Sequence, residues 1–500
     1  MSAPQRSFAP LLIGGVLMLS GWAVAIGLGL RLREMTPASE HALASPSAPV
    51  PVITPPAAQE PAPTPVRENK FASAFQEFAA HPEFAGAALG FCVFDESGAT
   101  LFASPLAEIA LSPASSLKTV TTGAALTILG PEFRFETVLS ATTPVSGEGK
   151  LDGDLVLVGG GDPTLETGDL EALAKAAVAA GLKNVSGRLL VDTSVFPANP
   201  VSDHWVWGDL GNAYGAGAYG LNLDHNRVVL HFEPNAEVGG PARLLDNTAV
   251  PKDTRWTNLV TTGPAGSGDQ VVIYSEPYGR TIVIRGTVPA GQSGFPVYGS
   301  IPDPPALAAE LLRARLEAAG VKFASSPSPS AGDKGERTVL ARHTSDPLPE
   351  IIDHLHLVSD NLEAQCLFLT IGRKLKADPA SVLREHYEKA GVTFAGLRQL
   401  DGSGLARANV IRPLDLARVN FATRHGAHGQ RFYESLSKYV GGEARAKIGS
   451  MSGVKTQVGF LHTAQGRELT YAVMGNALPS GSDFWSHLES LLETVRTIEL

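Results

Sequence analysis

Runs of apolar and polar residues set the N-terminal part of the chain apart. An apolar stretch from about Ala9 to Leu30 dominates residues 1–35, and its length is near the roughly 20 residues that span a bilayer. The small-residue run Ala23-Val24-Ala25 could instead be the cleavage site of a secretory signal. Residues 36–68 are rich in Pro, Ala and Ser and have no hydrophobic periodicity, which predicts an extended spacer. We therefore expect a signal peptide or membrane anchor, a linker, and an exported remainder that is periplasmic or held at the outer face of the cytoplasmic membrane.

Regular hydrophobic periodicity begins after this linker. Phe71, Phe75 and Phe78 share one face of a predicted amphipathic helix over 71–80. Apolar segments over 87–94 and 99–103 then predict two strands joined by a turn. A mostly apolar stretch from Leu117 to Leu129 follows and predicts a helix that ends at Gly130-Pro131. Further along, helices are predicted to open at Leu348 and Leu362, and strands are predicted over 454–462 and 468–475.

The middle of the chain, residues 137–337, has a different pattern. It is rich in Gly and Val and contains short apolar segments over 155–158, 228–232, 271–274 and 281–285. These segments predict strands with turns between them, and one helix is predicted over 305–319. We expect this region to be a β-rich insert of two small domains.

Composition narrows the functional classes. The 500 residues allow about three domains, and the net charge of −10 without long charged runs gives no footprint for nucleic acid. Cys92 and Cys366 are the only cysteines and lie in apolar segments, so we expect buried thiols and no disulfide. His354 with His356, and His425 with His428, lack a third ligand at recognisable spacing. We therefore expect no metal and no cofactor.

Candidate chemistry begins with Ser115-Ser116-Leu117-Lys118. Positions i and i+3 of a helix share a face, so the Lys118 ammonium is expected beside the Ser115 hydroxyl. The start of a helix also favours the negative charge that develops when a serine attacks a carbonyl. A lone Ser-x-x-Lys is common by chance, so its weight depends on what accompanies it.

Two further strings follow in a fixed order. Ser359-Asp360-Asn361 lies between two predicted helices, where its side chains either point into a cleft or only cap the second helix. Lys447-Ile448-Gly449-Ser450 precedes the last two predicted strands, and its glycine would let a substrate approach the backbone closely. Lys455-Thr456-Gln457 looks similar but lacks the glycine. Ser-x-x-Lys, Ser-Asp-Asn and Lys-x-Gly in this order are the signature of enzymes that D-alanyl-D-alanine peptides or β-lactams acylate.

With these strings, the chain resembles the class C low-molecular-mass penicillin-binding proteins, the D-alanyl-D-alanine carboxypeptidase/endopeptidase family. Further landmarks in the expected order are Pro113-Ala114-Ser115, Leu129-Gly130-Pro131-Glu132-Phe133-Arg134-Phe135, Gly159-Gly160-Gly161-Asp162-Pro163-Thr164-Leu165 and Asp401-Gly402-Ser403-Gly404-Leu405. The resemblance implies an α/β (α+β) penicilloyl-serine transferase fold, like that of the serine β-lactamases. It also implies one catalytic domain, formed by residues 69–136 and 338–500, that the insert over 137–337 interrupts.

The resemblance further implies roles for the motif residues. Ser115 would be the nucleophile, Lys118 its activator, Ser359 a proton relay and Asn361 a ligand of the substrate amide. Lys447, Gly449 and Ser450 would serve the oxyanion and the substrate carboxylate.

Peptidoglycan stem peptides would then be the substrates and β-lactams covalent inhibitors. A weakly catalytic wall-binding or β-lactam-sensing homologue and a β-lactamase are the alternatives. Ile448 departs from the family pattern, in which threonine is usual, and we expect its side chain to point away from the cleft.

Overall fold

A computed structural model describes residues 69–245, 250–324 and 335–500. The predicted anchor and linker, residues 1–35 and 36–68, lie outside the described residues. No helix in the described part is long and apolar enough to cross a membrane. Residues 67–500 group into one compact unit, and the division into two catalytic segments and an insert stays a prediction.

The first described elements match the predicted order of helix, hairpin and helix. They are helix α1 (Lys70–Ala79), strands β1 (Ala88–Phe94) and β2 (Thr100–Ala103), and helix α2 (Lys118–Ile128). A single 3₁₀ turn, Ala114–Leu117, leads directly into α2. The Asn69 side chain accepts from two backbone N–H groups at the start of α1, so a capping residue fixes where this helix begins.

The middle of the chain contains many short strands and three helices. The strands are β3 (Glu136–Ala141), β4 (Lys150–Leu151), β5 (Leu155–Val158), β6 (Asn184–Val185), β7 (Leu189–Asp192), β8 (Arg227–Glu233), β9 (Arg243–Leu244), β10 (Arg255–Gly263), β11 (Val272–Tyr274), β12 (Thr281–Pro289), β13 (Phe295–Ser300), β14 (Lys322–Phe323) and β15 (Thr338–Thr344). The helices are α3 (Thr167–Ala179), α4 (Trp207–Leu210) and α5 (Pro304–Ala318). Helix α5 was predicted, whereas α3 was not.

The C-terminal part has five helices, then four strands, and then a last helix. Its helices are α6 (Leu348–Val358), α7 (Asn361–Leu375), α8 (Pro379–Lys389), α9 (Pro413–Arg424), α10 (Gly429–Ser435) and α11 (Phe484–Arg496). Its strands are β16 (Ser437–Tyr439), β17 (Ala444–Met451), β18 (Val454–His462) and β19 (Glu468–Asn476).

A six-stranded sheet joins the two ends of the described chain. Its order is β16-β17-β18-β19-β1-β2, with every pair antiparallel. Both faces are covered, because alternate residues of β1 enter different cores. Phe91 and Val93 pack with α1 and α11, whereas Cys92 and Phe94 pack with α2 and the helices of the C-terminal part. This double burial explains why β1 reads as a nearly continuous apolar run.

Four smaller sheets form the middle region. Their orders are β10-β12-β11, β13-β8-β9, β14-β6-β4 and β15-β3-β5-β7. Their inward side chains, together with those of α3 and α5, form one continuous apolar core. Strand β15, which directly precedes α6 in the chain, pairs with β3 at the edge of the last of these sheets. The chain that enters α6 is therefore part of a sheet of the middle region.

Candidate active site

Ser115 and Lys118 lie where the sequence predicts a nucleophile and its activator. Ser115 is half-buried in the 3₁₀ turn, and Lys118 is the first residue of α2. The Lys118 Nζ atom lies 2.8 Å from Ser115 Oγ. Ala114, just before the serine, has a left-handed φ of 47°, a conformation that costs energy outside glycine and often marks a functional turn.

The Lys118 amine is fully buried and has three polar neighbours. Besides Ser115 it contacts Asn361 Oδ1 at 2.5 Å and the Ser403 carbonyl at 3.0 Å. Burial, and then the positive charge of Lys447, lower the pKa of Lys118 well below its usual value. A neutral amine at hydrogen-bond distance from a serine hydroxyl can accept its proton.

The Ser-Asp-Asn triplet combines a helix cap with two groups that face the site. Asp360 caps α7 and accepts from the Glu363 N–H. Ser359 ends α6 with a left-handed φ of 60°, and its hydroxyl accepts from Lys447 Nζ at 2.8 Å. Asn361 contacts Lys118 through its Oδ1 and donates through its Nδ2 to the Tyr214 carbonyl at 2.7 Å. The capping interpretation therefore holds for the aspartate, while its two neighbours point towards the lysines.

Lys447 lies in the middle of β17. Its Nζ also donates to the Ile448 carbonyl at 2.9 Å, and burial lowers its pKa to about 7. Gly449 is required by close approach, since a Cβ there would lie 2.8 Å from Ser115 N and 2.6 Å from the Pro113 carbonyl. Strand β17 thus touches the backbone of the nucleophile's turn.

Ser450 is exposed beside the cleft, and Lys455 is its partner on β18. The two are paired in register, and Lys455 Nζ donates to Ser450 Oγ at 2.6 Å. The sequence analysis gave Lys455 no role because its triplet lacks glycine. In the structure its ammonium lies beside the Ser450 hydroxyl, which is predicted to bind the substrate carboxylate. Its neighbour Thr456 contacts Ser116 Oγ at 2.7 Å, which links β18 to the nucleophile's turn.

Ile448 points away from this cleft, as strand alternation predicts. It is half-buried and lines a separate cavity of about 550 Å³ together with Tyr439, Gln457, Trp485 and Leu488. The hydrophobic side chain therefore packs behind the strand that carries Lys447 and Gly449.

The predicted residues meet at one cleft of about 400 Å³. Ser115, Ser359, Asn361 and Ser450 line it, and Asp209, Tyr214 and Arg407 complete its walls. The sequence argument assigned these last three no role, because each is far along the chain from the motifs and stands in no recognisable string. Ser403 was also missed as a Lys118 partner, although its surrounding Asp-Gly-Ser-Gly string was noted as a landmark.

The two cysteines and His356 are buried and belong to the core, not to the cleft. Cys92 and Cys366 are both free and buried, as predicted, and burial raises the pKa of Cys92 to about 12. His356 is buried between Thr122 and Ser435, with ring-nitrogen contacts of 3.0 and 2.8 Å. Burial, and then the charge of Lys447, lower its pKa well below the usual value, so it is a neutral hydrogen-bonding residue.

The fold of the described residues is of the penicilloyl-serine transferase type. The crystal structure of penicillin-binding protein 4 from Haemophilus influenzae superposes with a TM-score of 0.73 at 22% identity and covers 85% of this chain and 98% of that one. At this identity the likeness establishes the fold, and the predicted fold class is confirmed.

The family follows from the sequence. The model of the D-Ala-D-Ala carboxypeptidase 3 (S13) family matches residues 71–487, and the chain belongs to that family. A D-alanyl-D-alanine carboxypeptidase of Actinomadura sp. (strain R39) is 32% identical over 429 residues, 79% of either chain. A D-alanyl-D-alanine carboxypeptidase of Haemophilus influenzae is 25% identical over 391 residues, 74% of this chain and 81% of its own. The predicted resemblance and the prediction of a serine carboxypeptidase are confirmed.

Proposed function

We propose that the protein removes the terminal D-alanine from peptidoglycan stem peptides through an acyl-enzyme on Ser115. The observation that carries this proposal is the buried Lys118 amine, held between Ser115 Oγ and Asn361 Oδ1. A lysine that its surroundings keep neutral can serve as a base at physiological pH.

The acylation step uses the two lysines differently. Neutral Lys118 takes the Ser115 proton as Oγ attacks the carbonyl carbon of the penultimate D-alanine. The C–N bond then breaks, and the leaving D-alanine nitrogen receives a proton through Ser359, whose hydroxyl contacts Lys447. Water afterwards hydrolyses the ester and restores Ser115.

Charge on the tetrahedral oxygen needs donors that are fixed in advance. The backbone N–H groups of Ser115 and Ser450 are our assignment for this oxyanion hole, supported by the close packing of Gly449 against Ser115 N. The substrate carboxylate would lie by Lys447 and Ser450, where the Lys455 ammonium adds positive charge.

A second cavity favours cross-linked peptides as a second substrate. About 420 Å³ in volume, it shares Tyr214, Ser359 and Asn361 with the cleft and continues to Asp269 and Tyr298. Because Ser359 is the proposed donor to the leaving nitrogen, this cavity gives room to a leaving group larger than free D-alanine. We propose that a cross-linked dimer is also cleaved, which chromatography of a digested dimeric muropeptide tests directly.

Covalent inhibition by β-lactams and an exported location complete the proposal. A structure of the H. influenzae protein is a complex with a β-lactam, and the acylation chemistry here is the same for a lactam carbonyl. Peptidoglycan lies outside the cytoplasmic membrane, so the catalytic part must be exported. The apolar N-terminal segment is consistent with either a cleaved signal or an anchor.

The test is labelling with a fluorescent penicillin followed by mass spectrometry of the labelled peptide. We expect the label on Ser115, none on Ser115→Ala, and normal labelling of Ser112→Ala, whose Oγ has no hydrogen-bond partner in the described chain. D-alanine release from a pentapeptide should vanish with the label in Ser115→Ala. Undiminished labelling of Ser115→Ala would disprove the nucleophile assignment. Labelling of the wild type without D-alanine release would favour a sensing homologue, and rapid loss of label with penicillin turnover a β-lactamase.

A further inference from the structure

A cluster of metal-ligand side chains lies beside the Ser-Asp-Asn triplet and has no part in the proposed reaction. His225, His354 and Glu363 place ligand atoms within 4.8 Å of one another. They come from three elements: a tight turn over Asp224–Asn226 and helices α6 and α7. We propose that these three residues bind one divalent transition-metal ion, of which Zn²⁺ is the best match.

The distances describe a compact donor set. His354 Nδ1 lies 2.7 Å and His225 Nδ1 lies 3.9 Å from Glu363 Oε1. His225 Nδ1 is also 3.5 Å from Asp360 Oδ2. Two imidazole nitrogens with one carboxylate oxygen form a donor set that suits zinc and its neighbours in the first transition row. Calcium and magnesium prefer oxygen ligands alone.

Unpartnered atoms in this cluster point to a missing ligand. The Glu363 side chain is completely buried, and its Oε2 has no hydrogen-bond partner among the described residues. The Nδ1 atom of His225 is likewise without a hydrogen bond in that part of the chain. Buried polar atoms normally find partners, and each exception needs an explanation.

The buried negative charge of this cluster also favours a bound cation. Asp360 and Glu363 both have fully buried carboxylates, and Arg227, whose Nη2 is 2.6 Å from Asp360 Oδ2, is the adjacent cation with a permanent charge. The carboxylate of Glu363 has the His354 imidazole as its partner. A divalent cation held by both groups would balance the buried negative charge, which is costly to leave uncompensated. The His354 side chain is 43% exposed and leaves a route for the ion to enter.

The backbone holds His225 in a strained conformation. Asp224, His225 and Asn226 are three consecutive residues with left-handed φ values of 50°, 52° and 51°. Side chains fix the turn: Asn226 donates to the Gly217 carbonyl and accepts from the Leu223 N–H. Such strain persists only where surrounding structure enforces it, and it is concentrated at functional sites. Here it carries one imidazole to the other two ligands.

Bound metal would connect the turn of the middle region to both helices that carry the Ser-Asp-Asn triplet. Helix α6 ends at Val358 with Ser359 as its C-cap, and α7 begins at Asn361. The proposed ion therefore positions the triplet and takes no part in bond making. This inference is independent of the proposed function, because metal binding is measured without substrate.

The experiment is metal titration of the full chain after treatment with a chelator and desalting. We expect one equivalent of Zn²⁺ by calorimetry and elemental analysis, and Co²⁺ should give visible d–d absorption. His225→Asn and His354→Gln should each weaken binding at least tenfold. Asn tolerates the left-handed backbone at position 225, and circular dichroism with a cooperative thermal unfolding transition reports whether each variant is folded.

A second cluster on the surface gives the matched control. His81, Glu83 and His487 also lie within reach of one another, but Glu83 Oε2 already accepts from the Asp483 N–H at 2.6 Å. We expect His487→Gln to bind metal like the wild type. The proposal is overturned if the wild type binds no stoichiometric metal, if His487→Gln removes the binding, or if folded His225→Asn and His354→Gln bind as tightly as the wild type.

Discussion

At the scale of single residues, the contacts that could be predicted are those between residues close together in the sequence. The i, i+3 relation placed Lys118 against Ser115, and their atoms are 2.8 Å apart. The other two partners of Lys118 come from distant segments, and the Ser403 contact is made by a backbone carbonyl. Every residue carries a carbonyl, so no residue type in the sequence signals that contact.

Ile448→Thr tests whether the departure from the family motif matters. The side chain lies behind β17 with Tyr439 and Trp485, so we expect D-alanine release and penicillin acylation to change by no more than about fivefold, the equivalent of about 1 kcal/mol. Gly449→Ala is the contrasting control. Its Cβ would lie 2.8 Å from Ser115 N, and acylation should collapse. A hundredfold gain in Ile448→Thr would show that isoleucine disables the natural site.

At the scale of elements, periodicity located to within a residue or two those catalytic helices and strands that it predicted, but it gave no prediction for α8, α9, α10 or α11. It missed α3, although Leu170, Leu173, Ala174 and Ala177 repeat at helical spacing and are buried. The Gly- and Val-rich composition of the surrounding region outweighed that signal in our interpretation. Loops were less predictable, because side-chain hydrogen bonds from distant segments shape them. The loop after Asp401 is an example.

Asp401→Asn should destabilise this loop and weaken catalysis together. The buried carboxylate accepts from the N–H groups of Ser403, Gly404 and Ala406, and from Trp205 Nε1 at 2.8 Å. An amide NH₂ would face donors in place of one oxygen, at a cost of at least about 2 kcal/mol. We expect a melting temperature lower by several degrees and slower acylation, since Ser403 contacts Lys118. The exposed Asp203→Asn should change neither; equal stability of Asp401→Asn and the wild type would refute the argument.

At the scale of the whole molecule, the motif order predicted the family, but not how the middle region meets the catalytic helices. Three of the contacts that make that connection are Trp205 with Asp401, Tyr214 with Asn361, and Arg227 with Asp360. Each joins segments more than a hundred positions apart, and neither periodicity nor local spacing reports such pairs. The residues of the middle region that complete the cleft walls could therefore not be predicted from this sequence, whereas the motif residues that line the cleft could.

Buried lysines also give the molecule a characteristic dependence of stability on pH. Burial lowers the pKa of Lys447 from 10.5 to about 7 in the folded state. Between these values the unfolded chain binds a proton that the folded protein does not, so stability rises with pH by up to about 1.4 kcal/mol per unit. This gain in stability from the neutral Lys447 amine is complete above pH 10.5 and is lost as the pH falls towards 7.

Lys447→Met removes this proton and should flatten the pH dependence of the melting temperature. We expect the wild type to gain stability relative to Lys447→Met from pH 7 to 8.5. Removing the Lys447 charge also raises the pKa of Lys118, which reduces the slope further. The buried thiols lower stability at higher pH, but they do so in both proteins. The difference in melting temperature between the two proteins therefore reports the lysines alone. The exposed Lys438→Met should follow the wild type. Parallel curves for the wild type and Lys447→Met would mean that Lys447 keeps its proton in the folded protein, and the argument that burial lowers its pKa to about 7 would be overturned.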